Sequence, residues 1–228
     1  FSNKLSIGYL ETNNPTVSFA EYAQANPYYK KYGENGKINK YLYYPEEGLN
    51  DYPVSNPLWN AHLNNYDKGQ RFGFTNNFIA EWFATGKFGI TKYDDTQDQR
   101  LSPEHTDFDD KEATQKGLFK HSLQKYLYYE GDLSATYGKL IAEKHQINAV
   151  LGFNFSNTSS KTNGYSATGF TDDQFDAPSF ANNYPTGGKP SYRENIKHAS
   201  SFYLNGGYAY DNRYLLDFNL RNDGASMF

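Results

Sequence analysis

The chain has 228 residues, with 22 Tyr, 17 Phe, 2 Trp, one Met, no Cys and a formal net charge of −4. That length fits one large domain or two small ones. The absence of cysteine excludes disulfides, thiolate zinc sites and cysteine nucleophiles, and the mild negative charge gives no electrostatic case for a nucleic-acid partner.

No apolar run approaches the roughly 20 residues of a membrane helix. A membrane β-barrel stays open, because its strands need only about 9–11 residues and present one apolar face each. There is no signal-peptide pattern and no lipidation motif. The chain starts at Phe1 and stops at Phe228 as though inside strands, so the expectation is an internal piece of a longer protein.

Taken in order, the elements are period-two segments. Asn3 to Tyr9 puts Leu5, Ile7 and Tyr9 on one face. Arg71 to Ala84 opposes Phe72, Phe74, Phe78 and Trp82 to Arg71, Thr75, Asn77 and Glu81, and Lys87 to Tyr93 follows with Phe88 and Ile90. Tyr126 to Lys139 sets Leu127, Tyr129, Leu133, Ala135 and Tyr137 against Glu130, Asp132, Ser134 and Thr136. His145 to Ser156 sets Ile147, Ala149, Leu151, Phe153 and Phe155 against Gln146, Asn148, Gly152, Asn154 and Ser156. The last stretch, SFYLNGGYAYDNRYLLDFNLRNDGASMF, reads as a hairpin turning at Asp211-Asn212. Such alternation belongs to strands with one apolar and one polar face, about seven in all.

The connectors alternate in length. Thr85-Gly86, residues 140–144 and Asp211-Asn212 are short, whereas 10–70, 94–125 and 157–197 are long. A soluble sandwich has no reason to gather its long loops at one end. An outer-membrane barrel does, with short periplasmic turns and long extracellular loops. Within the first loop, Ser18 with Glu21 three residues later predicts a capped short helix, and the spacing predicts a second helix near Asp109 to Lys116. Asn14-Pro15, Asn26-Pro27, Tyr52-Pro53 and Asn56-Pro57, with Gly33, Gly36 and Gly48, mark turns.

On this reading Phe202, Leu204, Leu216, Phe218 and Leu220 face lipid, and Asn205, Asp217, Asn219 and Arg221 face the lumen. Tyr126, Tyr128 and Tyr129, with Tyr208, Tyr210 and Tyr214, are expected in the interfacial aromatic girdle. Gly131, Gly138, Gly152, Gly206 and Gly207 are expected on the lumen side.

Chemistry is sparse. Asp94, Asp95 and Asp98, and Asp172, Asp173 and Asp176, hold oxygen ligands suited to Ca²⁺ without an EF-hand spacing; solvated loops are the favoured account of them. Glu104, His105 and Asp107 lack a second histidine at ligand spacing, His62 is isolated, His121 is remote, and His145 and His198 stand at strand starts. No G-x-S-x-G, H-E-x-x-H or phosphate loop occurs. The tyrosine-rich stretch 37–59 suits either sugar stacking or packing of a loop against a rim or partner. No catalytic, cofactor-binding or metal residue is assigned, and no cofactor is implied.

Several stretches then resemble the SusC/RagA-like TonB-dependent outer-membrane transporters. Tyr208-Ala209-Tyr210-Asp211-Asn212-Arg213-Tyr214-Leu215-Leu216, running into Arg221-Asn222-Asp223-Gly224-Ala225-Ser226-Met227-Phe228, is similar to the family's "Y-Y-D-x-R-Y-L-L" hairpin and "R-x-D-G-S-S-x-F", departing at Ala225 and Met227. SFAEYAQANPYYKKYGENG at 18–36 and NPLWNAHLNNYDKGQRFGFTNNF at 56–78 resemble the family's "S-F-x-x-Y-x-x-x-N-P-Y-Y" and "N-P-L-x-x-A" segments, and LSPEHTDF and HQINAVLGF fit as well.

The resemblance implies an all-β fold: about seven antiparallel transmembrane strands, roughly a third of a 22-stranded barrel, with residues 1–228 a partial barrel domain lacking signal, plug and remaining strands. It implies a Gram-negative outer-membrane location and import of oligosaccharides or peptides without enzymatic chemistry. The partners it implies are a SusD-like surface lipoprotein, the TonB complex through the missing N-terminal part, and the lipid bilayer. A soluble β-sandwich carbohydrate-binding module is the alternative, distinguished by burial of the apolar face between two sheets. A glycan-active enzyme would need two carboxylates about 5–10 Å apart across a cleft, which the sequence does not reveal.

Overall fold

The computed structural model describes residues 1–25, 27–43 and 53–227. Asn26, Gly48, Tyr52, Phe228 and the middle of the tyrosine-rich stretch lie outside the described residues. Seven strands form one antiparallel meander: β1 (Ser2–Asn14), β4 (Tyr66–Glu81), β5 (Ala84–Leu101), β6 (Leu118–Ile141), β7 (His145–Ala167), β8 (Ser191–Tyr210) and β9 (Tyr214–Met227). Each strand pairs with the next in chain order, leaving β1 and β9 at the two edges. The first long loop holds helix α1 (Phe19–Gln24), the small pair β2 (Tyr41–Tyr43) and β3 (Val54–Ser55), and helix α2 (Pro57–His62).

The expected strands are present but longer. β6 runs 24 residues and β7 runs 23, against the about 9–11 that a bilayer needs. The alternating apolar core of each strand was legible; its polar continuation toward the loops carries the same extended backbone with no hydrophobic signal.

The register fixes the faces, because residues paired across an antiparallel ladder share a side. One row joins Phe78, Phe88, Gly131, Phe155 and Ser200; the next joins Ala80, Gly86, Leu133, Phe153 and Phe202. A further row joins Ala135, Leu151, Leu204 and Leu220. These rows form a continuous apolar band. The opposite face carries Lys87, Asp132, Asn154, Ser201 and Asp223 in one row and Asn77, Gly89, Glu130 and Ser156 in the next. Phe202, Leu204, Leu216, Phe218 and Leu220 do lie on the apolar face, and Asn205, Asp217, Asn219 and Arg221 on the polar one.

The apolar band is bare: Leu133 is 60% exposed and Leu216 67%. Among the described residues no second sheet packs on it, so they do not form the two-sheet sandwich. No described helix is long and apolar enough to cross a membrane.

Short turns close one end. Asp211 and Asn212 have φ of 50° and 53°, and Ala142 and Glu143 have φ of 49° and 56°. Two successive residues with positive φ make the I′ turn whose twist matches its flanking strands. The first short turn is Trp82-Phe83 rather than Thr85-Gly86: Thr85 pairs with Glu81 and Gly86 with Ala80, so both belong to β5. The apolar pattern runs through Trp82 without a break, and only the pairing shows that its ring has left the sheet face and stacks on Phe83 at 4.9 Å.

The long connectors gather at the other end. Ser18 caps α1 in a full capping box with Glu21. The second helix expected near Asp109 to Lys116 is two single 3₁₀ turns, Thr106–Phe108 and Ala113–Gln115. Eight residues of helical pattern with no side-chain cap at Glu112 are too few to propagate a helix without tertiary support.

Candidate functional site

The polar face and the loop cluster hold the arranged side chains. On the polar face Arg71 Nη2 meets Asp95 Oδ2 at 2.5 Å, and the guanidinium lies 5.0 Å from the centre of the Tyr93 ring. Tyr93 stacks on Tyr126 at 4.7 Å. These contacts bring β4, β5 and β6 together, and the stacked geometry gains from both cation–π and ring–ring attraction. Tyr128 Oη donates to Glu130 at 2.5 Å. Tyr126 and Tyr128 therefore belong to the polar face and not to a lipid-side girdle. Their odd-numbered spacing from Tyr129, three residues and one, puts Tyr129 alone of the three on the apolar face.

Aromatics do collect at the turn end of the apolar face. His145 Nδ1 and Tyr208 Oη are 2.7 Å apart, the His145 ring lies 5.0 Å from Tyr210, and Tyr210 lies 6.5 Å from Tyr214. Trp82 and Phe83 stand clear of the protein beside the first turn.

Glycines make floors for rings. A methyl group at Gly152 would overlap the Tyr203 ring, which lies flat across it from β8 on the polar face. One at Gly131 would overlap the Phe155 ring on the apolar face. Gly131 and Gly206 thus sit on the apolar face, and Gly138, Gly152 and Gly207 on the polar one. The ring takes the area that a side chain would otherwise cover, which offsets the usual weakening of a strand by glycine.

Between Lys87, Tyr128, Glu130, Asp132, Asn154 and Tyr203 the polar face has a cleft of about 690 Å³. Lys87 and Asp132 are directly opposite across the ladder. With Tyr203 supplying an apolar plane and carboxylates and an ammonium beside it, the cleft can hold a polar solute by stacking and hydrogen bonds.

The loop cluster is organised around Arg100, the last apolar-side residue of β5 and fully buried. Its guanidinium donates to the carbonyl of Asn64, to that of Asp173 at 2.8 Å and to that of Phe175 at 3.3 Å. The Asp173 carboxylate, 3.6 Å from Nη1, accepts from the Asn64 amide at 3.1 Å. The Phe170 ring closes over the guanidinium at 5.9 Å. One cation thus ties the first and third loops to β5. The second loop joins through Asn60, whose amide donates to Thr106 Oγ1 at 2.9 Å, and through Asn65 Oδ1, which accepts from Ser102 N at 2.7 Å.

His105 is 5% exposed, and its Nδ1 accepts from the Asp107 amide at 3.3 Å. Burial pushes its pKa down, against the opposing pull of Asp107. A neutral ring is also what an accepting Nδ1 requires.

The remaining sequence candidates scatter. Asp95 turns to Arg71 on the polar face, whereas Asp94 and Asp98 share the apolar side, with Asp98 2.6 Å from His121 Nδ1. Asp172 accepts from Gln174 N at 2.8 Å within its own loop. Among the described residues no group of three or more His, Cys, Asp or Glu could hold a metal. His198 pairs with Asn157 at 2.7 Å. In the tyrosine-rich stretch Tyr41 reaches Asp109, Tyr43 stacks on Tyr29 at 5.6 Å, and Trp59 Nε1 donates to Glu104 O at 3.1 Å. The described part of that stretch packs within the loops. Sequence reasoning missed Arg100, because an arginine in a charged run carries no mark of burial.

No family model matches the chain. TonB-dependent receptor P26 of Formosa agariphila is 24% identical over 242 residues, covering 99% of this chain and 22% of the relative. The RagAB peptide transporter superposes with a TM-score of 0.58 at 18% identity, over 87% of this chain and 22% of that one. The RagAB peptide importer in its "open-open" state gives 0.54 at 18% identity, over 97% and 26%. Relative, neighbours and ladder register agree with the resemblance in the sequence: the chain folds as a seven-stranded sheet similar to about a quarter of the β-barrel transporters it matches.

Proposed function

We propose that residues 1–228 form part of the barrel domain of a nutrient importer in the outer membrane of a Gram-negative bacterium. Oligosaccharides or peptides would pass along the polar face, delivered by a SusD-like lipoprotein at the loop end and driven by TonB through a segment elsewhere in the protein. The structural neighbours are a peptide transporter and a peptide importer, which favours peptides as the first class to test.

The observation that carries this reading is the division of the sheet into a bare apolar band and a charged opposite face, with long loops at one end. Bilayer hydrocarbon is the surrounding that stabilises such a band, and full lateral pairing keeps the backbone polar groups satisfied there.

Single cysteines test it in the full-length protein, in cells and in a background without other cysteines. A water-soluble maleimide should label positions 205 and 217 and leave 204 and 218 unlabelled. Equal labelling of both sets would overturn the reading. Binding of a peptide pool and an oligosaccharide pool to the purified transporter with its lipoprotein then separates the two substrate classes.

A further inference from the structure

Two exposed lysines stand at the loop-side edge of the apolar band. Lys92 lies in the row of Ile7, Phe74 and Leu127, so its stem runs over apolar side chains. Lys125 lies one row nearer the loops, diagonal to Lys92 on the neighbouring strand. An ammonium on a stem of this kind reaches up to the headgroup level while the methylenes stay in hydrocarbon.

Their surroundings do not neutralise them. Lys125 is directly opposite Lys161, a like-charge cross-strand pair that destabilises a ladder unless an anion intervenes. Lys161 is engaged with Glu194 at 2.9 Å. Asp94 is directly opposite Lys125 on the other side, yet no ion pair closes between them, and Asp94 Oδ1 is buried with no hydrogen-bond partner. Among the described residues Lys92 and Lys125 have no anionic partner within ion-pair distance.

We propose that Lys92 and Lys125 form a binding site for the phosphate groups of an outer-leaflet lipid, of the bis-phosphorylated lipid A type. The site is continuous with the lipid-facing band, so its occupant is already at hand in the bilayer. Two ammonium groups on adjacent strands match two phosphate charges, and charge-assisted hydrogen bonds form best at this partly desolvated depth. The opposite edge of the band carries Lys139 on the same face, in the row of Ile147, Tyr208 and Leu216. That position faces the other leaflet and serves as the control.

The proposal rests on the barrel reading above, and the cysteine labelling tests that reading separately. Here the full-length transporter in detergent is titrated with bis-phosphorylated lipid A, with its dephosphorylated form and with inorganic phosphate, and retained lipid is counted by native mass spectrometry. The wild type should hold the phosphorylated lipid at least tenfold more tightly than the dephosphorylated one, and millimolar phosphate should not displace it. Lys92→Gln with Lys125→Gln should bring the two lipids within about twofold, whereas Lys139→Gln should change nothing. Asp94→Asn should tighten binding of the phosphorylated lipid, a gain that a misfolded barrel cannot produce. Equal retention by wild type and double variant would overturn the proposal. So would equal retention of the two lipids, or displacement by free phosphate, which would mark a simple anion site.

Discussion

The turn-side part of the sheet, which carries the apolar band, and the loop cluster at its other end bury opposite things. In the sheet Leu133 and Leu216 are more than half exposed, while charged Lys87, Glu130 and Asp132 line the other side. In the loop cluster Val17, Leu42, Leu63, Phe119 and Phe170 are buried, and so are the polar Arg100, Asn56, Asn60 and Ser102. The loops have an ordinary aqueous core, in which Arg100 (through both terminal nitrogens), Asn56, Asn60 and Ser102 are hydrogen-bonded because water has been removed from them. The sheet has no core of its own; on the barrel reading proposed above, its apolar side faces hydrocarbon. Stability in the two regions therefore answers to different substitutions.

The largest effect is expected at Arg100. Replacing it by Ala strands two carbonyls of the third loop, one of the first and the Asp173 carboxylate, a loss of about 3–5 kcal/mol for a buried charge network. The loss should be local: hydrogen exchange in 168–190 and 56–65 should rise by orders of magnitude while the β7 and β8 ladder stays protected. Uniform loss of protection would show that loops and sheet are one cooperative unit.

Next comes Leu204→Arg, in the middle of the apolar band. A lipid-facing arginine at the midplane costs about 2–4 kcal/mol. Asn205→Arg, one residue along on the polar face, should fall within about 0.5 kcal/mol of the wild type, the usual range for a surface substitution. Denaturant unfolding of the full-length barrel in lipid measures both. A reversed order would exchange the two faces.

Gly152→Val is expected to be smaller. The new side chain displaces the Tyr203 ring from its floor, and overpacking of this kind costs about 1–3 kcal/mol. Gly152→Val with Tyr203→Ala should recover part of the loss, because the atoms nearest an added Cβ all belong to that side chain. An additive double variant would refute the ring-on-glycine account.

Much of the sheet was legible and little of the loop cluster. Period two at Leu127 to Tyr137 and Ile147 to Phe155 named the apolar face, since one-residue alternation leaves no freedom once pairing is antiparallel. Tyr126 and Tyr128 misled because a run of tyrosines resembles an interfacial belt until the register separates its members. Ser18 with Glu21 was readable because a capping box is a local interaction. Arg100 was not, since Asn64 and Asp173 are brought to it only by tertiary folding. Lys92 and Lys125 were equally silent: their meaning depends on standing diagonally at the end of an apolar band, which sequence spacing does not show.

The smallest and most specific effect concerns pH in the loop cluster. His105 has its folded pKa depressed by burial, so below the unfolded value of about 6.5 the unfolded loops bind a proton that the folded ones refuse. The His105 contribution is fully retained above that pH and is lost as pH falls from there through the folded pKa. Protonation also removes the Nδ1 acceptor that holds the Asp107 amide. Exchange of the amides in 102–117 should therefore accelerate as pH drops below about 6.5, once intrinsic exchange rates are corrected, with the β6–β7 ladder unaffected. His105→Asn keeps a side-chain oxygen able to cap Asp107 N and cannot titrate, so it should flatten that pH dependence while leaving the turn formed. If His105→Asn keeps the wild-type slope, the proton goes elsewhere in the loops and the burial of His105 is not what sets it.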